Sequence, residues 1–247
     1  MKYSIMKQIP NVLTLLNLLS GCIASILMIK NSNFIDTAII LLCLSLIFDF
    51  FDGFAARLTG SNGDLGKQLD SLADMISFGF FPGILMMLLF KESISFSFFG
   101  QYIYSNYLPF LGLLITLFSA LRLAKFNIDQ EQTYYFKGLN TPANTIFIFS
   151  LFYIHKNYTF ELLNNFWFLL IITFICSYLL IANLPLFSLK FKSKKWKDNS
   201  LVFSFIFICL ILFIFLKVLA IPLLIIIYII LSIIFRKKII AHGTKTT

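Results

Sequence analysis

The chain has 247 residues, 59% of them hydrophobic and only 13% charged, with a net charge of +9. A soluble domain of this size needs far more polar surface, so the balance excludes one and points to an integral membrane protein. The positive charge does not argue for nucleic acid, because the basic residues are spread over short loops between apolar runs rather than gathered on one soluble face; anionic lipid headgroups are the expected partners.

In chain order, residues 1–9 set Ile5, Met6 and Ile9 among Lys2, Lys7 and Gln8 and read as a short interfacial amphipathic segment. Pro10 then opens the first span, a position that suits proline. The early "LSGC" looks like a lipoprotein cleavage signal, but a cleaved lipoprotein would continue as a polar domain, and this chain continues with span after span. Apolar runs near the length of about 20 residues that crosses about 30 Å of hydrocarbon centre on 10–29, 34–56, 70–90, 107–124, 141–155, 162–186, 201–216 and 218–235. The last two form one run interrupted only by Lys217 and Pro222, which reads as a tight helical hairpin. Polar interruptions at 59–67, 91–106, 126–140, 156–161 and 187–200 are the loops, and 91–106 is expected at the outer interface. With no repeat and no low-complexity linker, the expectation is an all-α polytopic transmembrane bundle of about eight spans, forming one membrane domain over 1–247.

The basic residues orient it. With both termini cytoplasmic, sixteen of the twenty Lys and Arg fall on that side and only Lys30, Lys91, Lys156 and Lys217 on the other, the asymmetry that cytoplasmic loops carry. The densest basic run, "SLKFKSKKWKDNS", reads either as a loop obeying this rule or as a lipid-binding patch. Cys22, Cys43, Cys176 and Cys209 all lie in spans and serve as small apolar residues. His155 and His242 lie away from the acidic cluster and are not expected in catalysis.

Chemistry concentrates in "FDFFDGFAARLTGSNGDLGKQLDSLADMISFGF", residues 48–80. Asp49 and Asp52 share one helix face, which Gly53 and Ala56 extend; past a turn, Gly66, Asp70 and Asp74 recur every four residues along a second stripe. Two helices joined by a short turn are neighbours, so the four carboxylates can converge. Ionised and partly withdrawn from water, they need a cation, and Arg57 alone cannot neutralise four charges. Hard divalent ions, Mg²⁺ or Mn²⁺ before zinc, fit oxygen ligands without His or Cys, and a pair of ions about 3.5–4 Å apart suits displacement at phosphorus. Spacing alone leaves open a proton or cation pathway for the aspartates and plain helix packing for the small residues.

The eight fixed positions Asp49, Asp52, Gly53, Ala56, Arg57, Gly66, Asp70 and Asp74, with their gaps, resemble the signature of the CDP-alcohol phosphatidyltransferase family. Within it, "IPNVLTLLNLLSG", "DSLADMISFG", "SALRLAKFN" and "FKGLNTPAN" resemble the bacterial phosphatidylserine synthases, and Asn17 stands where makers of phosphatidylglycerophosphate carry Arg. One departure is Gly138-Leu139-Asn140, where such synthases read Gly-Leu-Pro. The resemblance covers about 8–192 and implies transfer of the phosphatidyl group of CDP-diacylglycerol to L-serine, with release of CMP. It implies two divalent ions on Asp49, Asp52 and Asp70, shared by Asp74, which also serves as general base. It places Asp52, Gly53, Ala56, Arg57 and Gly66 at CDP-diacylglycerol. Asn11 and Thr14, one helical turn apart on the first span, read either as holding its cytidine or as helix caps, and Arg122 and Lys125, at the cytoplasmic end of the fourth span, either as meeting the serine carboxylate or as basic residues that follow the topology. The resemblance further implies a homodimer in the inner (cytoplasmic) membrane, and the division of Lys and Arg turns the active site to the cytoplasm. The rivals are the same chemistry with glycerol 3-phosphate or an inositol phosphate, which would ask for more basic residues in the pocket, and a transporter, which would spread its carboxylates through the membrane depth.

Overall fold

A computed structural model describes residues 8–61, 63–93, 97–98, 101–102, 106–128, 136–187 and 200–236. Helix α1 (Ile9–Lys30) places Pro10 in its first turn, where no backbone N–H is needed; the helix begins one residue before the proline rather than at it, and most of the interfacial segment expected at 1–9 lies outside the described residues. Helix α2 (Ile35–Thr59) ends on Gly60 in the left-handed conformation, φ 63°. Next comes a single rod made of α3 (Asp64–Asp74), a π-helical turn (Met75–Phe80) and α4 (Phe81–Glu92). This rod starts six residues earlier than the apolar run suggested, because the polar first turns of α3 are amphipathic rather than loop; Gly66, Asp70 and Asp74 therefore all lie within it.

A short β1–β2 hairpin (Ser97–Phe98, Gln101–Tyr102) precedes a 3₁₀ turn (Leu108–Leu113) that runs into α5 (Leu114–Ile128). Then follow β3 (Phe136–Lys137), α6 (Thr141–Asn157), α7 (Phe166–Ile181), β4 (Pro185–Leu186), α8 (Ser200–Leu216) and α9 (Ala220–Ile234). The described residues are overwhelmingly helical, and among them five stretches are long and apolar enough to cross a bilayer: 9–30, 32–59, 64–92, 108–128 and 202–234. Helix α7 is apolar but shorter, at 16 residues. The 202–234 stretch is not straight. It folds at a 3₁₀ turn (Lys217–Leu219) where Lys217 takes φ 49°, and Phe205 of α8 and Tyr228 of α9 meet with ring centroids 5.7 Å apart. Both rings pack on Phe187, whose carbonyl accepts the Tyr228 hydroxyl at 2.8 Å.

The core centres on α4. Nine of its twelve residues are buried, among them Phe81, Leu85 and Leu89, as expected of a helix apolar all round. Phe81 stacks on Phe149 of α6 and Phe90 packs on Phe166 of α7. Exposed apolar side chains such as Leu15, Leu19 and Ile26 on α1 and Ile40 and Ile47 on α2 form a surface suited to lipid rather than water. At one end of the bundle Glu92 reaches from α4 to α6, 3.1 Å from His155 Nε2 and 2.7 Å from Lys156 Nζ. His155 thus stands at a structural clasp.

At the other end, the turn before α6 is held by backbone. Strand β3 pairs with β4, Gly138 N–H donates to Leu184 O and Leu139 N–H to Leu179 O. Gly138 has φ +75°, and a Cβ there would stand 2.8–2.9 Å from the carbonyls of Leu179, Leu180 and Ala182, so no other residue fits. Asn140, the departure from Gly-Leu-Pro, caps α6: its Oδ1 accepts from Ala143 N at 3.0 Å. An asparagine here starts the helix by a side-chain cap. The basic run at 188–199 and His242 lie outside the described residues.

Candidate active site

Helix α1 packs along both α2 and α3, and its polar stripe Asn11, Thr14, Asn17 faces the aspartates those helices carry. Thr14 Oγ1 lies 2.6 Å from Asp52 Oδ2, closer than its own helix carbonyl at Pro10, so its proton goes to the carboxylate. Asn17 Nδ2 points to Asp74 Oδ1 at 3.4 Å, while Asn17 Oδ1 accepts from Ser45 Oγ and its backbone carbonyl from Ser77 Oγ at 3.0 Å. The approach of α1 to the π-helical turn depends on Gly21: a Cβ there would overlap the Ser77 hydroxyl and stand 2.7 Å from the Ser77 Cα.

The two aspartate stripes converge. One carboxylate oxygen from each of Asp49, Asp70 and Asp74 lies within 4.8 Å of the other two, and Asp70 Oδ1 is buried with no hydrogen-bond partner. Asp52, only 5% exposed, stands beside them on the Thr14 side. Clustered oxygen donors, one of them orphaned, with no nitrogen or sulfur ligand among them, fit a hard divalent cation.

The cluster opens into a cavity of about 310 Å³. Of the residues expected at substrate, Asn11, Thr14, Asp52, Gly53, Ala56, Gly66 and Asp70 all line it. Asp49 and Asp74 are not among the lining residues. A Cβ at Gly66 would come only to 3.5 Å from Asn11 Oδ1, and one at Gly53 to 3.7 Å from Arg57 Nη1; these two glycines leave room in the cavity rather than between helices. Arg57 itself is exposed and lines no part of the cavity, although its Nη1 reaches over Gly53. Ser61, Gly63, Asp64 and Lys67 complete the wall. Lys67 is held by donation to Asn127 O at 2.8 Å, and Asn127 in turn donates to Ser71 at 2.7 Å, tying the end of α5 to α3.

The π-helical turn directly follows Asp74, a placement common at functional sites. Hydroxyls of neighbouring helices pin it: Thr116 Oγ1 of α5 donates to Gly79 O at 3.1 Å, and Thr145 Oγ1 of α6 stands 3.0 Å from Phe78 O. Beyond it lies Arg122, 8% exposed, with Nη1 3.4 Å from Thr141 Oγ1 and its guanidinium over the Phe126 ring. The charges of Arg122 and Asp74 are close enough to interact. Arg122 and Lys125 line a second, smaller hollow of about 50 Å³ with Phe126, Lys137 and Leu180.

The family model for CDP-alcohol phosphatidyltransferases matches residues 7–180. The chain belongs to the CDP-alcohol phosphatidyltransferase family. The match takes in α1 to α7 and stops before the α8–α9 pair, so the whole cavity lies inside the family's shared region. Among curated relatives, the archaetidylserine synthase of Methanothermobacter thermautotrophicus is 36% identical over 146 residues, 58% of this chain and 57% of that protein. The CDP-diacylglycerol–serine O-phosphatidyltransferase of Bacillus subtilis is 33% identical over 141 residues, 56% of this chain and 71% of that protein. The Helicobacter pylori (strain 26695) protein of the same name is 29% identical over 183 residues, 73% and 72% of the two chains.

Asn17, Ser45 and Lys67 were not singled out as site residues from sequence. A polar residue at each of 11, 14 and 17 in an otherwise apolar span was the available signal for Asn17. Nothing local marks Ser45, whose role exists only through its contact with a residue 28 positions away.

Proposed function

We propose that the protein transfers the phosphatidyl group of CDP-diacylglycerol to L-serine, giving phosphatidylserine and CMP. The observation that carries the reading is the Asp49–Asp70–Asp74 cluster adjoining a cavity bordered by the glycines and the alanine of the family signature. The cavity wall of Asn11, Gly53, Ala56 and Gly66 takes the cytidine diphosphate, with Arg57 at the phosphates from its rim. Asp49, Asp52, Asp70 and Asp74 hold divalent cations, Mg²⁺ or Mn²⁺ and two in number, which when bound neutralise pyrophosphate and the charge that grows on departing CMP.

Asp74 takes the proton of the serine hydroxyl, oriented by the Asn17 amide. The freed oxygen attacks the phosphorus that carries diacylglycerol, the bond from that phosphorus to the CMP oxygen breaks, and no covalent enzyme intermediate forms. Arg122 and Lys125 meet the serine carboxylate. Serine is favoured over glycerol 3-phosphate or an inositol phosphate because its acceptor carboxylate needs no more cationic side chains than these, and because the relatives quoted above are named as serine enzymes or an archaetidylserine synthase.

The reading includes one membrane domain of eight spans with both termini cytoplasmic, supported by the sixteen-to-four division of Lys and Arg, and a homodimer in the cytoplasmic membrane with the cavity facing the cytoplasm. Purified protein supplied with CDP-diacylglycerol, Mg²⁺ or Mn²⁺ and one alcohol at a time is expected to release CMP only with L-serine. Asp74→Asn is expected to stop turnover while the folded protein persists. Release driven by glycerol 3-phosphate, or an active Asp74→Asn, refutes the assignment.

A further inference from the structure

Six buried side-chain polar atoms among the described residues have no hydrogen-bond partner, and one is the Asp70 oxygen already assigned. The other five are Ser119 Oγ, Arg122 Nε, both amide atoms of Asn144, and Ser177 Oγ. Unpaired buried polar groups are costly, and helical spacing relates each of these to the surroundings of Arg122. Helices α5 and α6 touch at Arg122–Thr141, and deeper in the bundle Thr116 of α5 and Thr145 of α6 reach the consecutive carbonyls of Gly79 and Phe78. Ser119 and Asn144 fall between these two levels, each one helical turn from the Arg122–Thr141 contact on the face that makes it. Ser119 lies against the π-helical turn, its Cβ 3.0 Å from where a Gly79 Cβ would stand. Ser177 lies one turn before Leu180, which lines the same hollow as Arg122. Ser119 and Asn144 are 0% exposed and Ser177 2%.

Resting on the serine reading above, we propose that Asn144, with Ser119 and Ser177, forms the subsite that takes the primary ammonium of the acceptor, making Asn144 a specificity-determining residue. An ammonium carries three N–H donors, and Asn144 Oδ1, Ser119 Oγ and Ser177 Oγ are three neutral oxygen acceptors. Arg122, one turn nearer the surface, supplies the matching charge for a carboxylate. Between Arg122 and this trio an amino acid is held at both charged groups, which leaves its hydroxyl to reach Asp74. The same polar trio gives no charge to attract a phosphate, so it selects against phosphorylated alcohols.

The test compares L-serine with 3-hydroxypropanoate, which keeps the hydroxyl and carboxylate but lacks the amine, in CMP release by the full-length protein. The wild type is expected to prefer serine by about ten- to a hundredfold in kcat/KM, the range for a hydrogen bond to a charged group. Asn144→Leu is expected to erase most of that preference by lowering only the serine value, and Asn144→Asp, which retains an acceptor oxygen, to keep it; the KM for CDP-diacylglycerol stays put in both. An unchanged preference in Asn144→Leu, or an equal loss with both acceptors, overturns the subsite. If Asn144→Leu does not fold, Ser119→Ala decides, with a severalfold fall in preference expected and none overturning the proposal. A wild type that ignores serine but accepts ethanolamine refutes the serine reading and supports the ammonium subsite; one that accepts only alcohols without an amine overturns both.

Discussion

Thr14→Val tests how the cavity depends on α1. The substitution keeps the shape of the side chain and removes a single proton donor, and that donor lies 2.6 Å from Asp52 Oδ2. Both residues line the cavity yet are shielded from bulk solvent, Thr14 at 3% exposure and Asp52 at 5%. A hydrogen bond to a charged group is worth about 1.5–3 kcal/mol, and 1.4 kcal/mol is about a factor of ten. If Asp52 must be held in one orientation at the donor substrate, kcat/KM for CDP-diacylglycerol falls about ten- to a hundredfold in Thr14→Val, while Thr14→Ser, which restores the hydroxyl, stays near wild type. CMP release at saturating serine, with CDP-diacylglycerol varied in mixed micelles, measures it. A Thr14→Val enzyme within threefold of wild type would show that Asp52 needs no help from α1 and refute this account of the stripe.

Gly66→Ala separates room for substrate from room for protein: because a Cβ meets Asn11 Oδ1 only at 3.5 Å and alanine favours helix by about 0.8–1 kcal/mol, the melting temperature holds or rises while the KM for CDP-diacylglycerol increases, and a lowered melting temperature with unchanged KM contradicts it. Gly21→Ala does the reverse, costing about 1–3 kcal/mol of stability by overpacking. Adding Ser77→Ala does not cure it, since the Ser77 Cα already stands 2.7 Å from the new methyl group; thermal unfolding in detergent reads both. Glu92→Ala opens the clasp to His155 and Lys156, and since Glu92 is 28% exposed the loss is held to about 1 kcal/mol. Its unfolding midpoint drops by about 2–4 °C with kcat unchanged, whereas an inactive variant would tie the clasp to the site.

The resemblance of residues 49–74 to the transferase signature was legible because its gaps obey helical geometry: three-residue and four-residue steps place side chains on one face whatever surrounds them. The convergence of the two stripes followed from the short turn between α2 and α3. Arg57 was a different matter, since being in the signature does not fix where a long side chain goes, and the fold turns it out to the rim. The role of Asn140 was also hidden, because a cap is recognised only once the helix start is known.

The sequence by itself determined the membrane setting, the helical class and the two aspartate faces, since composition and period are local properties that a single segment expresses alone. Only the tertiary structure decided which polar atoms meet: Thr14 with Asp52, Asn17 with Ser45 and Asp74, Arg122 with Thr141, and the five buried atoms left without partners around α5, α6 and α7. Those pairings join residues 19 to 57 positions apart, and how one helix is rotated against another is settled by the packing of all of them together, which no single stretch of sequence contains.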